Sequence, residues 1–429
     1  MVPSALPIPS PASMDRRNLL RITLADFLVR TAYQMGKTPL LPLFAAALGA
    51  SDLLLGTVVA VSTVTGMVTK PLFGFLSDRL GRRLWILIGT ALFAGIPFLY
   101  RFVETPGQLV LLRLIHGTAT AIYGPVTVAY VAEQSPQRKA ERLGWFSMAR
   151  SGGYILGPAL GGWLLLWMEP VQLFALIGGI SLAAFLPVLG MSERGAAGEG
   201  TGGLGRDAKR KAPRLHPSSI AFHVSRLIHS FPLHTPAIWL SGGLEAAAYL
   251  GLYAAKAFLP VYALSAGVNV AVVGLFFSLQ ETTLILLKPA GGRFGDRVGY
   301  LPAIALGMLG MGLALPLLTV AGNAWLLLAL AGLLGATQAL LFPATVALVA
   351  AQVGPSHLGA GMGMVGALKN GGKVAGPVLA GLLVQRLGYP GMFRAMGMLL
   401  GLGATWVWLL AQRRERVERA ARSPVRPGA

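Results

Sequence analysis

Residues 70–83 read Lys70-Pro71-Leu72-Phe73-Gly74-Phe75-Leu76-Ser77-Asp78-Arg79-Leu80-Gly81-Arg82-Arg83, and residues 288–301 repeat the pattern. Lys288-Pro289, Gly292, Asp296-Arg297 and Gly299 stand where Lys70-Pro71, Gly74, Asp78-Arg79 and Gly81 stand, at one constant offset in numbering (288 − 70 = 218). The offset recurs on either side. Pro42 pairs with Pro260, Gly117 with Gly335 and Pro125 with Pro343, and after a one-residue slip Gly157-Pro158 meets Gly376-Pro377. Agreement running from residue 42 to residue 377 is the mark of two related halves in one chain.

Each half is mostly apolar. Hydrophobic residues make up 54% of the chain, charged residues only 12%, and the mean hydropathy is +0.65, beyond the range of a water-soluble globular chain. Apolar stretches lie near 19–46, 51–77, 84–101, 106–132, 144–167, 170–190, 236–264, 269–292, 301–320, 324–350, 360–385 and 390–411. Crossing a bilayer takes about 20 apolar residues in a helix. The fold class expected is therefore an all-α membrane protein with twelve transmembrane helices in two pseudo-symmetric six-helix bundles. The 56 glycines suit such packing, because small residues let membrane helices approach closely.

The segments between apolar runs carry the charge. Arg16, Arg17 and Arg21 precede the first span, Arg79, Arg82 and Arg83 follow the second, Arg138, Lys139 and Arg142 follow the fourth, and Arg293 and Arg297 follow the eighth. The opposite loops hold little beyond Arg101 and Arg386. The positive-inside rule then puts both termini in the cytoplasm of a multi-pass protein of the plasma or inner membrane. The loop around His357 departs from the rule, since it should be internal and has no Lys or Arg. A net charge of +20 would suggest nucleic acid in a soluble chain, but here the basic residues form no continuous face, and no nucleic-acid partner is expected.

Five segments follow: a disordered tail at 1–18, a six-helix bundle at 19–190, a basic cytoplasmic linker at 191–235, a second bundle at 236–411 and a basic tail at 412–429. The first thirteen residues lack the charged start and apolar core of a secretory signal, and Met14 is an alternative start. There is no cysteine, which excludes disulfides and thiol catalysis. No metal or cofactor site is expected. Gly361-Met-Gly363-Met-Val-Gly366 has the spacing of a dinucleotide fingerprint but lies in an apolar helix with no strand before it, so no nucleotide is expected there.

With these residues in view, Gly74 to Arg83 resembles the signature loop between the second and third helices of the major facilitator superfamily, with a weaker copy at 292–299. Arg113 with Gly117 resembles that superfamily's second motif. Arg150-Ser-Gly-Gly-Tyr-Ile-Leu-Gly157-Pro158-Ala-Leu-Gly161-Gly162 is similar to the motif of its antiporters, notably drug:proton exchangers. The resemblance covers the transmembrane portion and implies alternating access by rocking of one half against the other, usually as a monomer. It also implies that the loop formed by Gly74, Asp78, Arg79, Gly81, Arg82 and Arg83, with its copy at Gly292, Asp296 and Arg297, latches the outward-open state. Tyr300 stands where the first copy has Arg82, so the second latch should be weaker. Gly157-Pro158 and Gly376-Pro377 are candidate hinges, because proline removes a helix hydrogen bond; tight helix packing is the alternative.

Ionisable residues within apolar spans are costly and mark function. Asp26, Arg30, Arg113, Glu245, Glu281 and Lys373 are the candidates for proton coupling or substrate binding, with His116, Lys37, Lys256 and Lys369 as further polar groups in the spans. Asp26 and Arg30 are one turn apart, so a permanent intrahelical pair is the alternative for Asp26. Arg113 could bind a substrate anion or balance Asp26. Lys70 and Lys288 repeat and read as architecture; Arg150 and Lys369 also correspond and could snorkel from helix ends. Tyr33, Tyr123, Tyr154, Tyr249 and Tyr253 are candidates to line a cavity, although packing is the commoner role of a buried tyrosine. No Walker A, H-E-x-x-H or G-x-S-x-G pattern is present, so no enzyme is expected. The function expected is proton-coupled export of a small organic compound. Uptake of a metabolite such as an organic anion or sugar is the alternative, and a sensor or lipid flippase a minor one.

Overall fold

The computed structural model describes residues 11–134, 138–192, 235–353 and 357–422. Most of the linker expected at 191–235, and the tail residues before 11 and after 422, lie outside the described residues. Residues 11–18, expected in the N-terminal tail, are instead the first turns of a helix, and residues 412–422, expected in the C-terminal tail, prolong the last one.

Every element is helical among the described residues. In order they are α1 (Pro11–Met35), α2 (Leu41–Ala47), α3 (Asp52–Leu80), α4 (Arg82–Leu99), α5 (Pro106–Gln134), α6 (Lys139–Leu164), α7 (Pro170–Ala183), α8 (Phe185–Leu189), α9 (Pro236–Ser265), α10 (Val270–Val298), α11 (Tyr300–Leu317), α12 (Ala324–Gln352) and α13 (Leu358–Arg422). Nine of these stretches, among the described residues, are long and apolar enough to cross a membrane. α1 and α6 are long enough but carry many charges, Arg21, Asp26 and Arg30 in the one and Lys139, Glu141, Arg142 and Arg150 in the other. α13 is far too long for one crossing and breaks at Gly388, where φ is 68° and ψ 177°, a left-handed conformation that glycine adopts without strain.

The repeat is carried into the backbone. α3 and α10, α4 and α11, and α5 and α12 begin and end at positions whose numbers differ by the same offset of 218 (270 − 52 and 298 − 80 for the first pair). The tight turns between the first pairs rest on Gly81 (φ 91°) and Gly299 (φ 104°). Capping repeats too: Ser51 accepts a hydrogen bond from the Leu54 N–H before α3, and Asn269 from the Ala271 N–H before α10.

The expected first span, 19–46, is not one helix. α1 and α2 are separated by Gly36–Leu40, where Thr38 is extended at φ −151°, ψ 119°. Thr38 precedes Pro39, whose ring disfavours the helical conformation in the residue before it. In the second half α9 runs unbroken from Pro236 to Ser265.

Packing divides along the same line. α1 lies on α6, α3 on α5, and α4 on α5 and α7; later in the chain α9 lies on α13, α10 on α12, and α11 on α12 and α13. The two sets meet chiefly where α3 faces α13 and where α6 faces α10. Both contacts are made at the end remote from Gly81 and Gly299. There the Gly56 backbone abuts the Pro377 carbonyl and the Gly274 backbone abuts the Pro158 carbonyl, so closely that no Cβ would fit. A Cβ on Gly162 would stand 2.9 Å from the Gly274 Cα, and one on Gly381 2.8 Å from the Leu53 Cα. At the opposite end Lys70, Leu72, Trp145 and Lys288 of these facing helices are exposed, and Gly74, Gly144 and Gly363 have open space beside them. Among the described residues, the facing helices therefore pack closely at one end and leave Lys70, Trp145 and Lys288 exposed at the end bearing the basic loops.

Candidate solute-binding site

The break in α1 sets the site's position. Ending α1 at Met35 leaves Tyr33 on its last turn and Lys37 in the short π-helical segment just before the extended Thr38, and the Lys37 Nζ lies 5.8 Å from the Tyr33 ring centroid and 5.2 Å from that of Tyr253 on α9. Lys256, one turn beyond Tyr253, puts its own Nζ 5.5 Å from the same ring. α13 contributes Lys373, 5.7 Å from Tyr253 and 4.6 Å from Tyr249. Tyr249 is held flat against Phe342 of α12, with centroids 4.9 Å apart. Ammonium groups over ring faces gain from the aromatic quadrupole.

All three lysines are half-buried. Glu281 of α10, also half-buried, is within electrostatic reach of Lys256 and Tyr249. Tyr154 of α6 lies within such reach of Tyr249 and Tyr253. Tyr33, Tyr154, Tyr249 and Tyr253 thus converge with Lys37, Lys256 and Lys373 where the halves face each other. Tyr123 does not join them: it is fully buried against Phe93, with ring centroids 5.6 Å apart.

Arg113 lies beside this cluster, buried, donating to the Ser62 hydroxyl at 2.6 Å, with its Nε unpartnered. Its field reaches Tyr33 and Tyr100. His116 shares a hydrogen bond with the Tyr100 hydroxyl at 3.2 Å and presents its ring edge-on to Tyr33. No carboxylate lies within ion-pair distance of Arg113 among the described residues, so Arg113 does not balance Asp26.

Asp26 has another partner. Arg150 reaches across from α6 and grips it with two hydrogen bonds, Nε to Oδ2 at 2.9 Å and Nη2 to Oδ1 at 2.8 Å, while Arg30 stands off at 3.7 Å. Thr127 of α5 closes the set, accepting from Arg150 at 2.9 Å and donating to Asp26 at 3.5 Å. The second half holds the same three-part arrangement. The Lys369 Nζ is 3.6 Å from a Glu245 carboxylate oxygen, and Thr345 donates to Glu245 at 2.7 Å. Thr345 is the counterpart of Thr127 at the offset of 218, and Glu245 and Lys369 are the counterparts of Asp26 and Arg150 after the one-residue slip. Arg150 and Lys369 therefore do not snorkel; each turns inward to a carboxylate.

The segment 74–83, expected as a loop, is the last turns of α3, the Gly81 turn and the start of α4; there Asp78 and Arg82 form an ion pair, and Arg82 also donates to Glu133 at 2.8 Å and to the Ser77 hydroxyl at 2.7 Å. Arg83 holds the Leu189 carbonyl at 2.8 Å, and Arg79 lies over the Phe75 ring. All of these partners belong to the first half. Asp296 and Arg297 of the second copy are exposed, with no ion pair among the described residues. Neither Gly157-Pro158 nor Gly376-Pro377 interrupts its helix. Gly157 packs on the Thr31 carbonyl and Gly376 on Leu250, while the proline carbonyls receive the opposing glycines.

Residues 23–243 and again 242–428 match the Major Facilitator Superfamily. The chain belongs to that superfamily. It is a transporter of this group, and its relatives include proteins named for drug resistance. Multidrug resistance protein MdtG of Proteus mirabilis is 24% identical over 92% of this chain and 96% of its own length. Quinolone resistance protein NorA of Staphylococcus aureus is 32% identical over a shorter stretch, 34% of this chain and 38% of NorA. An uncharacterized MFS-type transporter of Methanocaldococcus jannaschii is 24% identical over 83% of this chain and 88% of its own. In fold, this superfamily member is similar to the nucleoside transporter NupG, with a TM-score of 0.74 and 16% identity over 91% of this chain and 99% of NupG. It is likewise similar to the peptide transporter POT, with a TM-score of 0.71 and 13% identity over 95% of this chain and 99% of POT.

Proposed function

We propose that the protein is a secondary transporter that carries a small organic solute by alternating access, through two six-helix halves that rock about the lysine–tyrosine cluster. Counting α1 with α2 and α6 as spans, and the broken α13 as two, brings the nine apolar stretches to twelve. The basic loops and both termini then lie on the cytoplasmic side of the plasma or inner membrane, and the conformation is open to the cytoplasm. A single chain holds both halves of the site, so it works as a monomer.

The observation that carries this reading is a polar site between two related halves whose closest backbone contacts, among the described residues, lie at one end. Export in exchange for protons is supported by the likeness of residues 150–162 to the antiporter motif and by the efflux relatives. Uptake together with a proton is the second reading. Glu281 favours it, because it lies within reach of Lys256 without pairing to it.

The absence of cysteine makes the test direct. Val68 and Leu286 are equivalent exposed positions on α3 and α10 at the open end. Spin labels on cysteines placed at both should report two distance populations whose ratio changes with solute or a pH gradient. One fixed distance under all conditions, with no solute counterflow in proteoliposomes, would refute the carrier. The direction of the pH gradient that drives accumulation separates the two readings.

A further inference from the structure

Three positive side chains surround one ring. The ammonium groups of Lys37, Lys256 and Lys373 stand 5.2, 5.5 and 5.7 Å from the centroid of Tyr253 and come from three different chain segments in both halves. No carboxylate is within ion-pair distance of any of them among the described residues. Lys37 and Lys256 are themselves counterparts in the slipped register that also relates Asp26 to Glu245, so the repeat delivers one lysine from each half to the same point. Lys256 arrives from the unbroken α9, and Lys37 from just before the extended Thr38.

Such convergence has a physical consequence. Like charges gathered in a partly dehydrated cleft repel one another, and the face of one tyrosine together with the one carboxylate within reach, Glu281, does not offset three charges. An organic cation entering the cleft would meet the same repulsion. A carboxylate, sulfonate or phosphate would be attracted by all three and could accept hydrogen bonds from them. The walls are flat and apolar beside these charges: Tyr249 lies stacked on Phe342, and Lys373 reaches over both Tyr249 and Tyr253.

We propose that Lys37, Lys256 and Lys373 form the binding site for an organic anion with a planar apolar body, the negative group held between the lysines and the ring system laid against Tyr249 and Tyr253. The proposal rests on the carrier reading and names its substrate class. Because the three lysines belong to both halves, the bound anion draws the halves together at mid-depth. Loading and closure are thereby linked.

The test is equilibrium binding of tritiated 2-naphthoate to the full chain in lipid nanodiscs, with 2-naphthyltrimethylammonium as a cationic competitor of the same shape. Naphthoate should bind saturably and the ammonium compound should not displace it. Lys37→Gln, Lys256→Gln and Lys373→Gln should each weaken binding about tenfold or more, whereas Lys373→Arg, which keeps the charge, should stay within about threefold. Thermal unfolding of each variant separates lost binding from lost folding. Absence of saturable naphthoate binding, displacement by the ammonium compound, or unchanged affinity in all three glutamine variants would overturn the anion site. Val68–Leu286 distances that still change with some other solute would then leave the carrier reading standing; a fixed distance would remove both.

Discussion

Gly56 and Gly274, counterparts in the two halves, make one contact twice: the first abuts the carbonyl of Pro377 and the second the carbonyl of Pro158, and those two prolines are themselves counterparts. Each glycine of the first half thus seals against a glycine–proline segment of the second, and the reverse. Such backbone-to-backbone contacts leave no room for a Cβ and define the closed end of the molecule.

Replacing Gly56 or Gly274 by alanine should therefore weaken the seal by about 1–3 kcal/mol, the usual cost of overfilling a packed contact. Spin-label distances between positions 68 and 286 should shift toward the shorter, cytoplasm-closed population in either variant. Gly179→Ala in α7, with open space beside that glycine and no part in the seal or the latch, should leave the distances alone. A seal that tolerates alanine at both positions with no shift would mean that these contacts do not hold the state.

The Asp26–Arg150 and Glu245–Lys369 pairs make a second prediction. Removing one partner leaves a charge in a poorly solvated place, and Asp26→Asn should cost about 3–5 kcal/mol of stability. The double variant Asp26→Asn with Arg150→Gln removes both charges and should recover much of it. If the pairs are architectural, the double variant retains gradient-driven transport. Loss of gradient-driven transport in a stable double variant would instead give Asp26 a part in proton coupling. Thermal unfolding and proteoliposome flux, measured together, decide.

Much of this was legible in the sequence, and the exceptions have identifiable causes. The boundaries of α3, α4 and α5 recur at the offset of 218, because apolar length and turn glycines are local properties. Asp26 fails to meet an acidic counterpart at that offset, since it falls on Leu244. One position further on it meets Glu245. Between Asp26 and Pro42 the first half has one residue more than the second has between Glu245 and Pro260, and the break at Gly36–Leu40 takes up that residue. The signal was the slip already visible at Gly157-Pro158, applied to the first span as well. The partnership of Asp26 with Arg150 joins positions 124 apart in the chain, and no periodicity within a helix reports it.

Of the three candidate carboxylates in the spans, Glu281 is the one with no ion pair among the described residues. It lies within electrostatic reach of Lys256 and Tyr249, beside the lysine cluster. Glu281→Gln fixes the uncharged form. It should preserve counterflow of labelled solute at equal pH within about threefold, a factor worth less than about 1 kcal/mol, while abolishing accumulation driven by a pH gradient. Continued gradient-driven accumulation in this variant would place the coupling proton on another group.

Arg82 offers the last test, because it joins three partners within one half. It pairs with Asp78 at the end of α3, donates to Glu133 at the end of α5 and to the Ser77 hydroxyl, while the facing helices at this end stand apart. A latch that steadies the outward-open state must give up part of this set and engage the other half when the cytoplasmic end closes. Arg82→Ala should cost about 1 kcal/mol of stability or less, as for other partly exposed ion pairs. Its effect on the balance of states should be larger, visible as a changed ratio of the 68–286 distance populations and a slower turnover. Arg297→Ala should do less, since Arg297 is exposed and makes no ion pair among the described residues. Equal effects of the two substitutions would show that the loop at 74–83 has no privileged role and that its contacts serve only to brace the first half.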